Sequence, residues 1–330
     1  MIEIALLDQV QQLVAKYPRL NLNTQKTTLL WSGDGSAAGS LAASAIAGKA
    51  IFSKTLTPDG SKLILAATNN AAVSPYKHLL FDTAAETLAF DDSVGRGFQG
   101  IASDATNVIW AAGAVAGYYG LWKRTGAATW TQVLTDSGAG TMYLTPDGNI
   151  HFRSSTGNYY LLSGGSASLE GAPSGRVSVE GYSKDTIGNF PCVAGSFDFR
   201  DIAGALVLNY PYDIYLNAGI FSTVAPSPRP WGCRIDATYS LSVQQVSATK
   251  ACLFILNKTT PAVKFIGVIA SPALPYGGGT VGGGSVQPFH ARMANGLLQI
   301  YWIGNVGQGT TDGNSYGGVI RTDLSYTPDF

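Results

Sequence analysis

A turn that returns at intervals along the chain constrains it more than any other feature. Thr57-Pro58-Asp59-Gly60 leads into the apolar run 63–67, and Thr145-Pro146-Asp147-Gly148 leads into 150–152. Proline at the second position of a turn and glycine at the fourth suit a reversal between two strands. Looser copies start at Ser103-Asp104, Ser183-Lys184-Asp185, Asp236-Ala237 and Met293-Ala294-Asn295-Gly296. The anchors begin near 57, 103, 145, 183, 236 and 291, so neighbours are 38 to 55 residues apart. More strand-like runs follow: 78–82 then 86–90, 120–124 then 129–133, and 159–162. Each interval has room for four short strands, and such a period marks stacked repeats rather than one irregular core.

The two Thr-Pro-Asp-Gly copies resemble the turn between the first two strands of WD40-type and related β-propeller blades, which often reads Ser-Pro-Asp-Gly. The resemblance extends over residues 51–300, without a Gly-His or Trp-Asp pair to mark the blades. It implies a shape, an all-β propeller of six or seven four-stranded blades, and implies neither partner nor activity. At about 44 residues per blade, residues 25–330 make seven, whereas the anchors make six; 201–221 is the stretch expected to hide an irregular blade. A ring must join its ends, and Thr27-Thr28-Leu29-Leu30-Trp31 with Gly318-Val319-Ile320-Arg321-Thr322 are expected to share the closing blade. The glycine run at 277–284 reads as an exposed loop.

Of the 21 acidic residues 17 are Asp and 4 are Glu, a bias toward turns and away from helices. One helix is expected, over 4–17. There Leu6, Val10, Leu13 and Tyr17 fall on one face at steps of four, three and four, and Pro18 ends the run. This divides the chain into a helix and linker, 1–24, and a propeller, 25–330. A helix of this length needs a surface to pack on. It either lies across its own ring or docks on a neighbour, including a copy of itself, and then Leu6, Val10, Leu13 and Tyr17 are assembly residues.

The formal net charge is zero and charged residues make up 13% of the chain, which leaves no basic footprint for nucleic acid. A surface of Ser, Thr, Asn and Gln is weakly protected by self-repulsion and tolerates packing against neighbours. Cys192, Cys233 and Cys252 form no framework, so buried thiols in a reducing compartment are expected, with Cys233–Cys252 the pair to check. The first residues carry no secretory pattern, and no apolar run is long enough to insert in a membrane. Synthesis in a host cytoplasm and release within a particle are expected.

No catalytic, cofactor-binding or metal-binding set stands out. His78, His151 and His290 have no second ligand at metal spacing. Asp91-Asp92 reads as a solvated turn, and the Asp-Gly pairs read as turns rather than calcium loops. Ser103 to Trp110 shares its end residues with the Ser-x-Asp-x-Gly-x-x-Trp box of sialidases, but Asp104 is one place early and the glycine is missing. Aromatic side chains are the softer signal: Tyr118, Tyr119, Trp122, Tyr159 and Trp231 could stack on sugar rings. In texture the chain resembles bacteriophage tail and virion-associated proteins. The expected function is a non-enzymatic structural or host-attachment component of a phage virion. Its expected partners are other virion proteins, copies of itself, and a host surface glycan or protein. The alternatives are a glycan-binding or glycan-cleaving propeller and a stand-alone cytoplasmic adaptor.

Overall fold

The computed structural model describes residues 26–32, 50–57, 60–68, 76–104, 106–113, 116–144, 150–170, 187–193, 196–201, 206–211, 231–236, 238–247, 250–257, 259–260, 262–270, 272, 286–304 and 318–326. The segment expected to be helical, with Leu6, Val10, Leu13 and Tyr17, lies outside these residues, as do 277–284, Pro58, Asp59 and 145–149.

The described residues are all β, in six small antiparallel sheets. The first strand, β1 (Lys26–Ser32), belongs to the last sheet. Sheet 1 is β2 (Ala50–Leu56), β3 (Lys62–Thr68), β4 (Tyr76–Asp82) and β5 (Thr87–Arg96). Sheet 2 is β6 (Phe98–Ser103), β7 (Ile109–Gly113), β8 (Gly120–Gly126) and β9 (Thr129–Thr135). Sheet 3 is β10 (Thr141–Leu144), β11 (Ile150–Arg153), β12 (Tyr159–Ser163) and β13 (Ser166–Glu170). Sheet 4 shows three strands, β14 (Ile187–Val193), β15 (Ser196–Asp201) and β16 (Leu206–Pro211). Sheet 5 is β17 (Trp231–Arg234), β18 (Tyr239–Ser247), β19 (Lys250–Asn257) and β20 (Ala262–Ala270). Sheet 6 is β21 (Val286–Ala294), β22 (Leu297–Gly304) and β23 (Gly318–Leu324), with β1 on its outer edge.

Apart from β1 in sheet 6, the strands of each sheet follow in chain order, the meander that short polar turns permit. The first strands of neighbouring sheets lie side by side, β2 by β6, β6 by β10 and β17 by β21, so they face the middle of the assembly. Apolar layers join sheet 5 to 6, 6 to 1, 1 to 2 and 2 to 3. Strand β22 shows why the sequence is so apolar there. Ile300 and Trp302 turn toward sheet 5, while Tyr301 and Ile303 turn toward sheet 1. A strand covered on both faces reads as a continuous run rather than an alternation. Each fully buried side chain of this kind is worth about 1.5–3 kcal/mol. This is the arrangement of a β-propeller.

The ends meet as expected: β1 pairs antiparallel with β23, Thr27 opposite Thr322 and Leu29 opposite Ile320. The anchors at 57, 103, 145, 236 and 293 lie where the first strand of a sheet turns into the second. In sequence the two Thr-Pro-Asp-Gly copies thus fall between the first and second strands of sheets 1 and 3, which are not adjacent, while 58–59 and 145–149 themselves lie outside the described residues. The fourth anchor runs into the start of β14, and its first residues are not described. Of the stretch 201–221, residue 201 ends β15 and 206–211 form β16, in one sheet with β14, while 202–205 and 212–221 lie outside the described residues. One reading needs correction. Asp91 and Asp92 lie inside β5, not in a turn, because β5 continues through them to Arg96. Cys252 is buried in β19 with a free thiol, so it forms no bridge to Cys233. Burial pushes its pKa up, which keeps it protonated and inert.

Candidate functional site

An aromatic tray is built on sheet 2, against sheet 1. Phe98, at the start of β6, and His78, on β4, are fully buried and lie nearly parallel, with ring centres 6.1 Å apart. Around Phe98 gather Trp130 at 4.9 Å, Trp122 at 5.2 Å and Tyr118, edge-on, at 5.4 Å. These three rings are only half-buried. Tyr118 is seated by two close approaches that require glycine. A Cβ at Gly97 would stand 2.7 Å from its ring, and one at Gly113 would overlap its carbonyl oxygen. That same carbonyl accepts a 2.7 Å hydrogen bond from the Trp122 indole N–H, which locks the two rings together.

Along the tray's border polar side chains engage backbone carbonyls. Gln132 is exposed and donates through Nε2 to the Tyr119 carbonyl at 2.9 Å. Three nearby cations hold backbone carbonyls. Lys123 donates to Gly165 at 2.7 Å, Arg96 to Ala128 at 2.7 Å, and Arg124 to Gly126 at 3.0 Å. Of the residues expected to stack on a ligand, Tyr118 and Trp122 come together, and Tyr119 is half-buried next to them. Tyr159 is elsewhere, buried in sheet 3 with the Arg153 guanidinium 5.8 Å above its ring. Trp231 opens β17, and its side chain is not among those described. The floor of the tray, Phe98 and His78, carried no sequence signal beyond being aromatic.

A second constellation closes the ring between sheets 1 and 6. Glu86, in the turn after β4, accepts from Arg321 Nη1 at 2.5 and 2.6 Å and from the Tyr301 hydroxyl at 2.7 Å. Arg292 donates to the Thr83 carbonyl at 2.7 Å and to Gln299 Oε1 at 2.9 Å. Arg321 also donates to Asp323 Oδ2 at 3.0 Å. Pairing sets this cluster: Arg292 lies opposite Gln299, and Tyr301 lies opposite both His290 and Arg321. Burial, then the hydrogen bond and charge of Glu86, push the Tyr301 hydroxyl well above its ordinary pKa. Burial opposes the Arg321 charge, but Glu86 and Asp323 more than offset it and keep the guanidinium protonated. His290 is buried beside them, and burial followed by the Arg292 charge presses its pKa down to about 4.

Buried and turn carboxylates elsewhere hold the backbone. Asp104 Oδ1 accepts from the Thr106 and Val108 amides and the Thr106 hydroxyl, at 2.7 to 3.0 Å, while Oδ2 accepts from the Trp110 indole at 3.0 Å. Burial raises the Asp104 pKa, and these hydrogen bonds outweigh it, leaving the carboxyl below its ordinary value. Between Ser103 and Trp110, Asp104 is therefore taken up by Thr106, Val108 and Trp110. Asp136 similarly ties the link between sheets 2 and 3 to the Ser155 amide and hydroxyl. Among the described residues no group of three His, Cys, Asp or Glu stands together to hold a metal, and no helix is long and apolar enough to cross a membrane.

Strand order and closure define a β-propeller whose N-terminal strand completes the last sheet. No family model and no curated protein matches the chain. Solved structures similar to it include TolB from Acinetobacter baumannii (13% identity, 83% of this chain, 54% of that one, TM-score 0.27). This chain therefore spans about half the length of that protein. A gluconolactonase from Xanthomonas campestris is similar at 12% identity over 93% of this chain and 95% of the other, with TM-score 0.39. The β-propeller domain of Cps50 (Swd1) from Myceliophteria thermophila is similar at 10% identity over 82% of each chain, with TM-score 0.34. At these scores the fold assignment rests on the strand order, not on the likenesses.

Proposed function

We propose that this chain is a non-enzymatic structural or attachment component of a virion, a six-bladed propeller that serves as a rigid display platform. The observation that carries this reading is the ring-closing cluster. Glu86, Arg292, Tyr301, Arg321 and Asp323 bind one another across two sheets. Their charges are paired within the fold, which suits a scaffold more than a reaction centre. Zero net charge and a charged-residue share of 13% suit a protein that packs among neighbours. In this reading the segment 4–17 is the anchor, Leu6, Val10, Leu13 and Tyr17 meet other virion proteins or copies of the chain, and the ring is presented outward.

The test is immunodetection of the chain in gradient-purified phage particles, with the Val10→Asp, Leu13→Asp double variant alongside. Wild-type chain in the particle fraction, and a variant that stays in the free fraction with unchanged β signal and melting, is the expected result. Wild-type chain confined to the free fraction would overturn the reading.

A further inference from the structure

Resting on the attachment reading above, we propose that the tray of Tyr118, Trp122 and Trp130 is a binding site for a neutral carbohydrate. The faces of a pyranose ring are edged with C–H groups and stack on aromatic planes, while its hydroxyls need uncharged hydrogen-bonding partners. The tray supplies both. Three half-buried rings converge on Phe98. Beside them Gln132 is exposed, and its amide keeps an acceptor oxygen and a second N–H beyond the bond to Tyr119.

Rigidity favours a ligand here over simple core packing. Gly97 and Gly113 admit Tyr118 at distances no other residue allows, and the Trp122 indole clamps its carbonyl. A prearranged surface loses little entropy on binding. The charge pattern selects the ligand class. Lys123, Arg96 and Arg124 keep their charge but are each drawn to a backbone carbonyl, and the rings themselves contact Phe98, His78 and one another, so the stacking surface is aromatic rather than ionic. Position selects a small ligand. Trp130 packs on Ile64, Leu80 and His78 of sheet 1, and all three rings are half-buried, which suits a single sugar ring more than a flat protein face.

The experiment uses the full chain on an array of neutral oligosaccharides built from glucose, galactose and N-acetylglucosamine, with sialylated and uronate-containing glycans on the same array. The tightest neutral binder is then titrated in solution. The expected result is binding to neutral glycans, weakened at least tenfold by Trp122→Ala. Gln132→Ala, which removes an exposed side chain, should weaken it several-fold with an unchanged β signal. Leu169→Ala, on the exposed edge of sheet 3, should leave it unaltered. Trp122→Phe, which keeps a ring, should restore part of the affinity. Binding to acidic glycans alone, no binding at all, or full affinity in both Trp122→Ala and Gln132→Ala would overturn the proposal. Presence in particles without neutral-glycan binding would remove the carbohydrate site and leave the attachment reading. Glycan binding by a chain absent from particles would do the reverse.

Discussion

Glu86 has φ = +55°, a left-handed conformation that costs a non-glycine residue about 1–2 kcal/mol. Local sterics would favour Asn or Gly there, so the carboxylate must return more than the strain removes. Replacing it separates the two terms. Glu86→Gln keeps the shape but leaves Arg321 with Asp323 as its remaining counterion, and should lower unfolding free energy by about 1–3 kcal/mol. Glu86→Asn suits the backbone and cannot span to Arg321, so it should also destabilise, by about 1 kcal/mol less. If urea unfolding shows Glu86→Asn more stable than wild type, strain outweighs the ring-closing bonds.

His290 gives the same region a pH dependence. Its folded pKa of about 4 lies below the ordinary value near 6.5, so between these values the unfolded chain binds a proton that the folded chain refuses. Stability is therefore full above pH 6.5 and falls as pH drops toward 4, by about 3 kcal/mol in all. His290→Gln should flatten the unfolding free energy between about pH 4.5 and 7. An unchanged slope would place the effect on other groups.

Among elements, the turn between β7 and β8 sets the tray. Gly117 there has φ = +88° with nothing within 4 Å of an added methyl, so Gly117→Ala should cost only about 1 kcal/mol of backbone strain. Gly113→Ala is different, because its methyl would overlap the Tyr118 carbonyl; the loss should reach about 3 kcal/mol or more and disperse the aromatic cluster. Near-ultraviolet circular dichroism reads that dispersal, and equal effects of the two variants would contradict the geometry.

Elements also show what the sequence made legible. The Thr57 turn was readable because its chemistry is local: Gly60 donates to the Thr57 carbonyl, and Lys62 donates to the Thr57 hydroxyl. Tyr118 with Trp122 was readable for the same reason, being four residues apart. Glu86 with Arg321 was not, since 235 residues separate them and only strand register brings them together. Asp91-Asp92 misled because a paired strand overrides the turn preference of aspartate.

For the whole molecule, closure by β1 imposes an order on events during synthesis. Residues 26–32 leave the ribosome long before their partner strand, Gly318–Leu324. At roughly 5–20 residues per second, β1 waits about 15–60 s with Leu29, Leu30 and Trp31 unpaired. Such a strand is open to pairing with other nascent chains, and Lys26 beside two threonines is modest protection. Ribosome-bound chains arrested before Gly318 should therefore be cleaved by protease near β1, whereas released full-length chains should resist there. Protection of β1 in the arrested chains would mean that another edge holds it first. Until the last strand arrives, the joint that makes the finished ring rigid is its most exposed point, and crowded polysomes are where this protein is most at risk of joining the wrong copy of itself.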